Sequence, residues 1–234
     1  MAEEIKKDDY NLNTDEMTAA GLCFGHRTSK VHPKMKPYLL TVKSGVHIID
    51  IEKTKEKLVE VLDFISKLIF ENKVLLLVGT KVQFKELIRN IGQEAKIPYI
   101  SGRWLGGTFT NFKTIKKRID YFKELEERKA KGDLEKYTKK ERAKMDKELK
   151  DLENRFAGIK NLENLPDAIL VTDIKKDGLA VKEAKKKGVL VIAIADTNVN
   201  PQLADLIIPA NDDAISSVSY ILGKVKDAII KSRK

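Results

Sequence analysis

The sequence contains almost no cysteine. Cys23 is the only one among 234 residues, so the chain can form no internal disulfide and has no CxxC metal-binding motif. A single cysteine is typical of a protein kept in a reducing cytosol. The composition therefore excludes a disulfide framework and a cysteine-rich zinc site.

Long hydrophobic runs are also missing. Residues 1–16 are acidic and polar and lack the apolar core of a signal peptide. The longest apolar runs, VLLLVG and VLVIAIA, are far shorter than the roughly 20 residues needed to cross a bilayer. We therefore expect a cytoplasmic protein with no membrane partner.

Two long stretches lack acidic residues. Residues 17–49 and 95–119 contain no Asp or Glu, although the whole chain has 35 of them. The net charge is +10, so the basic excess is partly clustered. This pattern favours a polyanionic partner, nucleic acid before an anionic membrane, over a merely solvated lysine-rich surface.

The fingerprints of common nucleotide- and RNA-binding modules are absent too. Gly79-Thr80-Lys81 follows an apolar run, but GTKVQF matches neither GxGxxG nor GxxxxGK[ST]. Gly106-Gly107 lacks a downstream GK[ST] as well. No RRM, KH or zinc-knuckle signature occurs, which favours recognition of the backbone and shape of a folded RNA.

The chain does contain an alternation of apolar runs and amphipathic segments. Helical spacing of apolar residues predicts helices between the runs. Buried strands are predicted by the runs at 73–80, 97–100, 167–173, 189–196 and 206–209. This alternation predicts an α/β fold with a doubly wound, mainly parallel sheet of the flavodoxin or Rossmann type.

A highly charged segment interrupts this alternation. Two apolar stripes at helical spacing run through it, one formed by Phe112, Ile115, Ile119, Phe122 and Leu125 and the other by Met145, Leu149, Leu152, Phe156 and Ile159. Thr138 and Glu141 form a capping-box pattern at the start of the second helix. We predict an antiparallel coiled-coil hairpin at 111–156, inserted into an α/β domain of residues 14–110 and 157–234, after a flexible tail of residues 1–13.

Metal-binding and catalytic interpretations exist for two groups of residues. Cys23, His26 and His32 could hold zinc, but no fourth ligand has the usual spacing. A second group lies near strand ends, where doubly wound enzymes keep their active sites: Asp173, Asp196, Asp212 and Asp213. Helix capping and turn formation explain these acids without catalysis. Two alternatives stay open at this point: an α/β enzyme that binds a sugar phosphate or nucleotide, and a free RNA-binding or regulatory protein.

The acid-free stretches contain the candidate RNA-binding residues. Cationic groups without competing carboxylates can neutralise phosphates and release counterions. Trp104, Phe109 and Phe112 could stack on an unpaired base or could belong to the core. The candidate phosphate-binding side chains are Arg27, Lys30, Lys34, Lys36, Lys113, Lys116, Lys117 and Arg118.

Several motifs together give a specific resemblance. AGLCFGHRTSKVHPKMKPY, RWLGGTFTNFKTI, IADTNVNP and IPANDDAISS occur in this order. With the predicted hairpin between them, the chain resembles the family of the bacterial small-subunit ribosomal protein two over about residues 17–225. Cys23 stands where that family usually has histidine, which weakens the expectation of a metal in its loop.

The resemblance implies a non-enzymatic, structural role in the small ribosomal subunit during translation, without cofactor, metal or small-molecule substrate. It implies contacts with small-subunit rRNA and neighbouring proteins, and help in docking small-subunit protein one. The matching positions add rRNA-binding candidates to those above, namely His26, Arg103, Trp104, Thr110 and Asn111. Gly106 and Gly107 are expected to form a structural turn.

Overall fold

The computed structural model describes residues 10–133 and 137–233. In chain order the strands of this part are β1 (Phe24–Arg27), β2 (Leu39–Lys43), β3 (Val46–Ile49), β4 (Leu75–Val78), β5 (Tyr99–Ile100), β6 (Ala168–Val171), β7 (Leu190–Ala195) and β8 (Leu206–Pro209). The α-helices are α1 (Thr14–Ala19), α2 (Ile51–Phe70), α3 (Lys85–Glu94), α4 (Phe112–Ala130), α5 (Lys139–Phe156), α6 (Gly178–Lys187) and α7 (Ile215–Ser232).

Five strands form a parallel sheet in the order β5-β4-β6-β7-β8. Its side chains alternate between two hydrophobic clusters, since Leu75 and Leu77 face one cluster and Leu76 and Val78 face the other. The first cluster contains the apolar faces of α2, α3 and α7, and the second contains those of α4, α5 and α6. The prediction of a doubly wound α/β sheet is therefore confirmed.

The strand order reverses between β4 and β6. The chain passes from β4 outward to β5 and then returns across β4 to start β6 on its other side. Val78 at the end of β4 is in register with both Ile100 and Val171. Doubly wound folds bind ligands at the carboxyl ends of strands flanking such a reversal, so the residues there decide between the enzyme and binding interpretations.

A smaller antiparallel sheet with the order β1-β3-β2 precedes the parallel one. The turn between β2 and β3 has positive φ at Ser44 and Gly45, 51° and 75°, as a two-residue hairpin requires. This sheet contacts the loop after β7, because the backbone N–H of His26 donates to Thr197 Oγ1 at 2.9 Å and that of His32 donates to the Thr197 carbonyl at 2.7 Å.

Helices α4 and α5 pack against each other and run antiparallel. Lys129 near the end of α4 pairs with Asp146 in the first half of α5 at 2.7 Å. The capping box of Thr138 and Glu141 forms as predicted. Along α5, burial decreases away from the point where the chain returns to the sheet. Of the two predicted stripes, the buried side chains are Ile115, Ile119, Phe122, Leu125, Leu152, Phe156 and Ile159, and the partly buried ones are Phe112, Met145 and Leu149.

The packed part of the chain begins before the predicted domain boundary at residue 14. The Tyr10 ring is 9% exposed, and its hydroxyl donates to Asp63 Oδ1 on α2 at 2.8 Å. Residues 1–9 of the predicted tail lie outside the described residues. Within the described ranges, no helix combines the length and the apolar character needed to cross a membrane.

Candidate nucleic-acid interface

Both acid-free stretches meet the carboxyl edge of the parallel sheet. Residues 101–111 directly follow β5, and β1 is bonded through His26 to the loop that follows β7. Because the carboxyl ends of parallel strands meet at one edge of a sheet, the fold brings two stretches far apart in sequence to the same side of the molecule.

The basic side chains of these stretches face solvent. Lys34 donates to the side-chain carbonyl of Gln202, and Lys116 Nζ donates to the Glu163 carbonyl at 3.1 Å. None of the basic candidates pairs with a carboxylate within 4.0 Å in the part of the chain that the structure describes. These exposed candidates are Arg27, Lys30, Lys34, Lys36, Arg103, Lys113, Lys116, Lys117 and Arg118.

His26 is bonded within the chain. Its Nδ1 lies 3.0 Å from Asp196 Oδ2, and its Nε2 lies 3.0 Å from Asn198 Nδ2 and 3.5 Å from Asp213 Oδ2. His26, Asp196 and Asp213 could together hold a metal ion, since one ligand atom from each lies within 4.8 Å of the others. This grouping differs from the one weighed on the sequence, where Cys23 and His32 were the partners of His26. Burial raises the pKa of the Cys23 thiol, as in an unreactive core cysteine.

Trp104 belongs to the core. Its side chain is 6% exposed, and its ring meets Phe109 edge to face with centroids 5.0 Å apart at 89°. Phe109 is 1% exposed and Phe112 is partly buried. Stacking on a base would need a free ring face, so the structure favours the packing role for Trp104.

The glycine-containing loop after β5 surrounds a carboxylate of this chain, that of Glu183 on α6. Glu183 Oε1 accepts from the backbone N–H of Gly107 at 2.8 Å and from the indole N–H of Trp104 at 3.4 Å. Glu183 Oε2 accepts from the backbone N–H groups of Phe109 and Thr110 and from the Thr110 hydroxyl, each at 3.0 Å. Burial alone would raise the pKa of Glu183, but these donors outweigh it and hold that pKa below its usual value.

This geometry explains why the loop looks like a phosphate-binding loop in sequence. Gly107 has φ +94°, which lets successive N–H groups point at one anion. The anion is supplied internally, so Thr110 also serves the fold. Gly106 and Gly107 lie within the turn. Asn111 is exposed and accepts from the Thr114 hydroxyl at 2.9 Å, at the start of α4.

Lys81 occupies the crevice where the strand order reverses. Its Nζ lies 2.8 Å from Asp173 Oδ2, 2.9 Å from Asp212 Oδ1 and 2.8 Å from Asp213 Oδ1. Beside it, the Thr80 hydroxyl donates to Asp177 Oδ1 at 2.6 Å. The acids that follow the strand ends are therefore bonded to the chain's own donors.

One ammonium among three carboxylates leaves this cluster with excess negative charge. Burial opposes the charge on Lys81, but the three carboxylates outweigh it and raise the pKa of Lys81. Burial, and then the neighbouring Asp173, raise the pKa of Asp212 to about 7. The hydrogen bond from Lys81 lowers the pKa of the more exposed Asp213. Lys81 thus stays charged while Asp212 takes up a proton near neutral pH.

Glu183 and the ion-pairing role of Lys81 were not identified from the sequence. One signal for Glu183 was available: it falls between Ala180 and Ala184 on the apolar face of α6, where an acid needs a partner. The sequence drew attention to Gly79-Thr80-Lys81 and to the acids near the strand ends, but nothing in it indicated that Lys81 pairs with those acids, which follow β6 and β8, far along the chain.

Comparison with known proteins gives a consistent result. The sequence model of the family described as ribosomal protein S2 matches residues 17–232. Relatives described as small ribosomal subunit protein uS2 include one from Roseiflexus sp. (strain RS-1), which is 44% identical over 214 residues that cover 92% of this chain and 82% of the relative. The protein from Dictyoglomus thermophilum is 44% identical over 218 residues, 93% of this chain and 89% of its own length. That from Chloroflexus aurantiacus (strain ATCC 29366 / DSM 635 / J-10-fl) is 42% identical over 219 residues, 94% and 92% of the two chains. With a family match that spans nearly all of its residues, the chain belongs to the ribosomal protein S2 family.

Proposed function

We propose that this chain is a cytoplasmic component of the small ribosomal subunit and binds small-subunit rRNA at the carboxyl edge of its sheet. Its relatives are described as small ribosomal subunit proteins. The observation that carries the RNA proposal is the separation of charge at this edge. The acids there are bonded to Lys81, His26 and Thr80, whereas the basic side chains of both acid-free stretches face solvent.

A structural role agrees with the family, since ribosomal protein S2 is a structural ribosomal protein and not an enzyme. The α/β enzyme considered above needed a site near Gly79 and Asp196. In this structure the Asp196 carboxylate is bonded to His26, and the neighbours of Gly79 are engaged with Asp173 and Asp177.

We assign the rRNA contacts to exposed groups only. Trp104, Thr110 and His26 are excluded because their side chains are buried or partly buried as well as bonded within the chain. The proposed contacts are Arg27, Lys30, Lys34, Lys36, Arg103, Asn111, Lys113, Lys116, Lys117 and Arg118. Cations so arranged bind phosphates regardless of base sequence.

Helices α4 and α5 are proposed to form a coiled-coil hairpin that extends from the α/β domain. Support comes from the two apolar stripes and from the Lys129–Asp146 pair far from the sheet. The basic cluster of Lys116, Lys117 and Arg118 lies on the first half of α4, near the domain. The family resemblance further supports a role in docking small-subunit protein one beside neighbouring subunit proteins.

Cosedimentation with small subunits that lack this protein tests the proposal. The wild-type chain is expected to sediment with the subunits, and the triple variant Lys116→Gln, Lys117→Gln, Arg118→Gln is expected to dissociate at lower salt. Each lost phosphate contact reduces the slope of log K against log[salt] by about one.

Two results would contradict the proposal separately. If the wild-type chain stays at the top of the gradient while other small-subunit proteins sediment, membership of the subunit is wrong. If the variant and wild-type chains dissociate at the same salt concentration, the α4 cluster is only a solvated helix face.

A further inference from the structure

A second basic surface lies on α6 and on the loop before it. Six lysines between residues 174 and 189 are all exposed: Lys175, Lys176, Lys182, Lys185, Lys186 and Lys187. We call them the α6 lysine surface. None of them pairs with a carboxylate within 4.0 Å among residues 10–133 and 137–233.

No acid of the same segment reaches solvent. Its two acidic residues are Asp177 and Glu183, which are 2% and 5% exposed. Asp177 accepts from Thr80, and Glu183 lies inside the glycine-containing loop. The fold therefore removes the negative charge of this segment from the surface and leaves only ammonium groups there. The sequence does not reveal this, because acidic and basic residues are interspersed in it.

The helix dipole explains only part of this charge. Lysines in the last turn of a helix interact favourably with its carbonyl end, which accounts for Lys185, Lys186 and Lys187. Lys175 and Lys176 precede the first turn, where the dipole disfavours positive charge. Lys182 lies in mid-helix, so the helix dipole does not account for the whole set.

The lysines on the exposed face of α6 are spaced to bind a polyanion with regularly repeated charges. Lys182, Lys185 and Lys186 have the spacing i, i+3, i+4, which places them on one side of the helix. Lys182 and Lys186 are about 6 Å apart along the axis at 1.5 Å per residue. The Ala180 and Val181 side chains face the core, so the lysines stand on a rigid element.

The α6 lysine surface adjoins the proposed rRNA interface. Helices α4 and α6 share one hydrophobic cluster on the same face of the sheet. Glu183 bonds the loop that leads into α4, and Leu179 Cδ2 lies 3.8 Å from where a Cβ of Gly106 would be. The cations of α6 and those at the base of α4 are therefore held in fixed relation to each other.

We propose that the α6 lysine surface is a second RNA-backbone contact, which binds phosphates of structured RNA through point charges and without base recognition. This inference rests on the proposed rRNA-binding function and extends it to residues outside both acid-free stretches. An acidic protein is the competing partner for such a surface, and the test below separates the two.

The test measures binding of the full chain to small-subunit rRNA over a salt series, with acidic polyglutamate as a second probe. The variant is Lys182→Gln, Lys186→Gln, Lys187→Gln, since the ammonium groups of these three lysines make no hydrogen bond or ion pair with the described residues, whereas that of Lys185 donates to the Gln202 carbonyl. We expect rRNA binding about 10- to 100-fold weaker near 0.1 M salt and a salt slope lower by about two to three. A variant with arginine at the same three positions should bind rRNA about as tightly as wild type, because the positive charge is kept.

Two matched triples serve as controls. Lys67→Gln, Lys73→Gln, Lys231→Gln removes the same charge from the last turns of α2 and α7 and from the loop after α2, outside both acid-free stretches, and should leave the affinity within about twofold. The α4 variant, Lys116→Gln, Lys117→Gln, Arg118→Gln, tests the proposed function alone. Circular dichroism melting verifies that each variant is folded.

Each remaining outcome contradicts a defined statement. Unchanged rRNA affinity of the α6 variant, with weaker binding by the α4 variant, overturns this inference and leaves the proposed function intact. Weaker binding to polyglutamate with unchanged rRNA binding makes the surface a protein contact and overturns it too. A wild-type chain that does not bind rRNA overturns both proposals.

Discussion

At the scale of single residues, Glu183 determines the conformation of the segment between the sheet and α4. A lone carboxylate accepts from three backbone N–H groups, a hydroxyl and an indole. Amide groups in a loop this close to the core need acceptors, and one side chain of α6 satisfies them together. Glu183 is therefore a structural residue for the loop that leads into α4.

Replacement of Glu183 by glutamine is expected to lower the free energy of unfolding by about 2–4 kcal/mol, because the amide NH₂ would face N–H donors that then lack an acceptor. Urea denaturation measures the change. Glu86→Gln, an exposed acid on α3, is the matched control and should stay within about 0.5 kcal/mol of wild type. Equal stability of both variants would show that the loop does not need the carboxylate.

At the scale of elements, the helix pair α4–α5 is held mainly at its base. Phe122 is 1% exposed within the cluster that also contains sheet residues, whereas Met145 is only partly buried. The decreasing burial along α5 leaves its outer part dependent on helix–helix contacts such as Lys129–Asp146. An exposed pair of this kind contributes about 1 kcal/mol or less.

Truncation at the two ends of the helix pair should therefore differ. Phe122→Ala is expected to cost about 3–5 kcal/mol, as for a fully buried aromatic residue, and Met145→Ala less than about 2 kcal/mol. Global unfolding followed by circular dichroism gives both values. A Met145→Ala cost as large as that of Phe122→Ala would mean that the outer part is packed as tightly as the base.

At the scale of the whole molecule, the cluster around Lys81 joins the ends of three segments. Lys81 follows β4, Asp173 follows β6, and Asp212 and Asp213 precede α7. The reversal of strand order opens a crevice at this position, and here it is bridged by ion pairs and hydrogen bonds. The crevice in which other doubly wound folds bind ligands therefore has a structural role in this protein.

The raised pKa of Asp212 predicts a pH dependence of stability. The pKa of Asp212 is about 7 in the folded chain, against 3.8 for a free aspartate side chain. Between these two pH values the folded state therefore binds the proton more tightly than the unfolded state does. The contribution of Asp212 is therefore present below about pH 4 and is lost as the pH rises through 7, with a slope of at most about 1.4 kcal/mol per pH unit.

Comparison with Asp212→Asn isolates this contribution, because the asparagine does not titrate. The free energy of unfolding of wild type should fall relative to that of the variant from pH 4 to 7. Lys81 keeps its charge throughout this range, and the other acids of the cluster affect both proteins. Parallel stability profiles for the two proteins would contradict the assignment of this proton to Asp212.

Much of this protein was determined by local sequence. The alternation of apolar runs such as 73–80 with amphipathic segments predicted the parallel sheet, because burial on both faces demands such runs. The capping box at Thr138 and Glu141 involves residues three apart, so it was visible before the fold was known. The acid-free stretches likewise showed where cations would cluster.

Only the tertiary structure decided which charges remain at the surface. Glu183 meets Trp104 across 79 positions, and Lys81 meets Asp212 across 131. Such pairs depend on which strand ends become neighbours, and periodicity and spacing do not encode that information. The same long-range contacts placed Trp104 in the core and left the α6 lysine surface purely basic, since a carboxylate is removed from the surface only when its donors come from elsewhere in the fold.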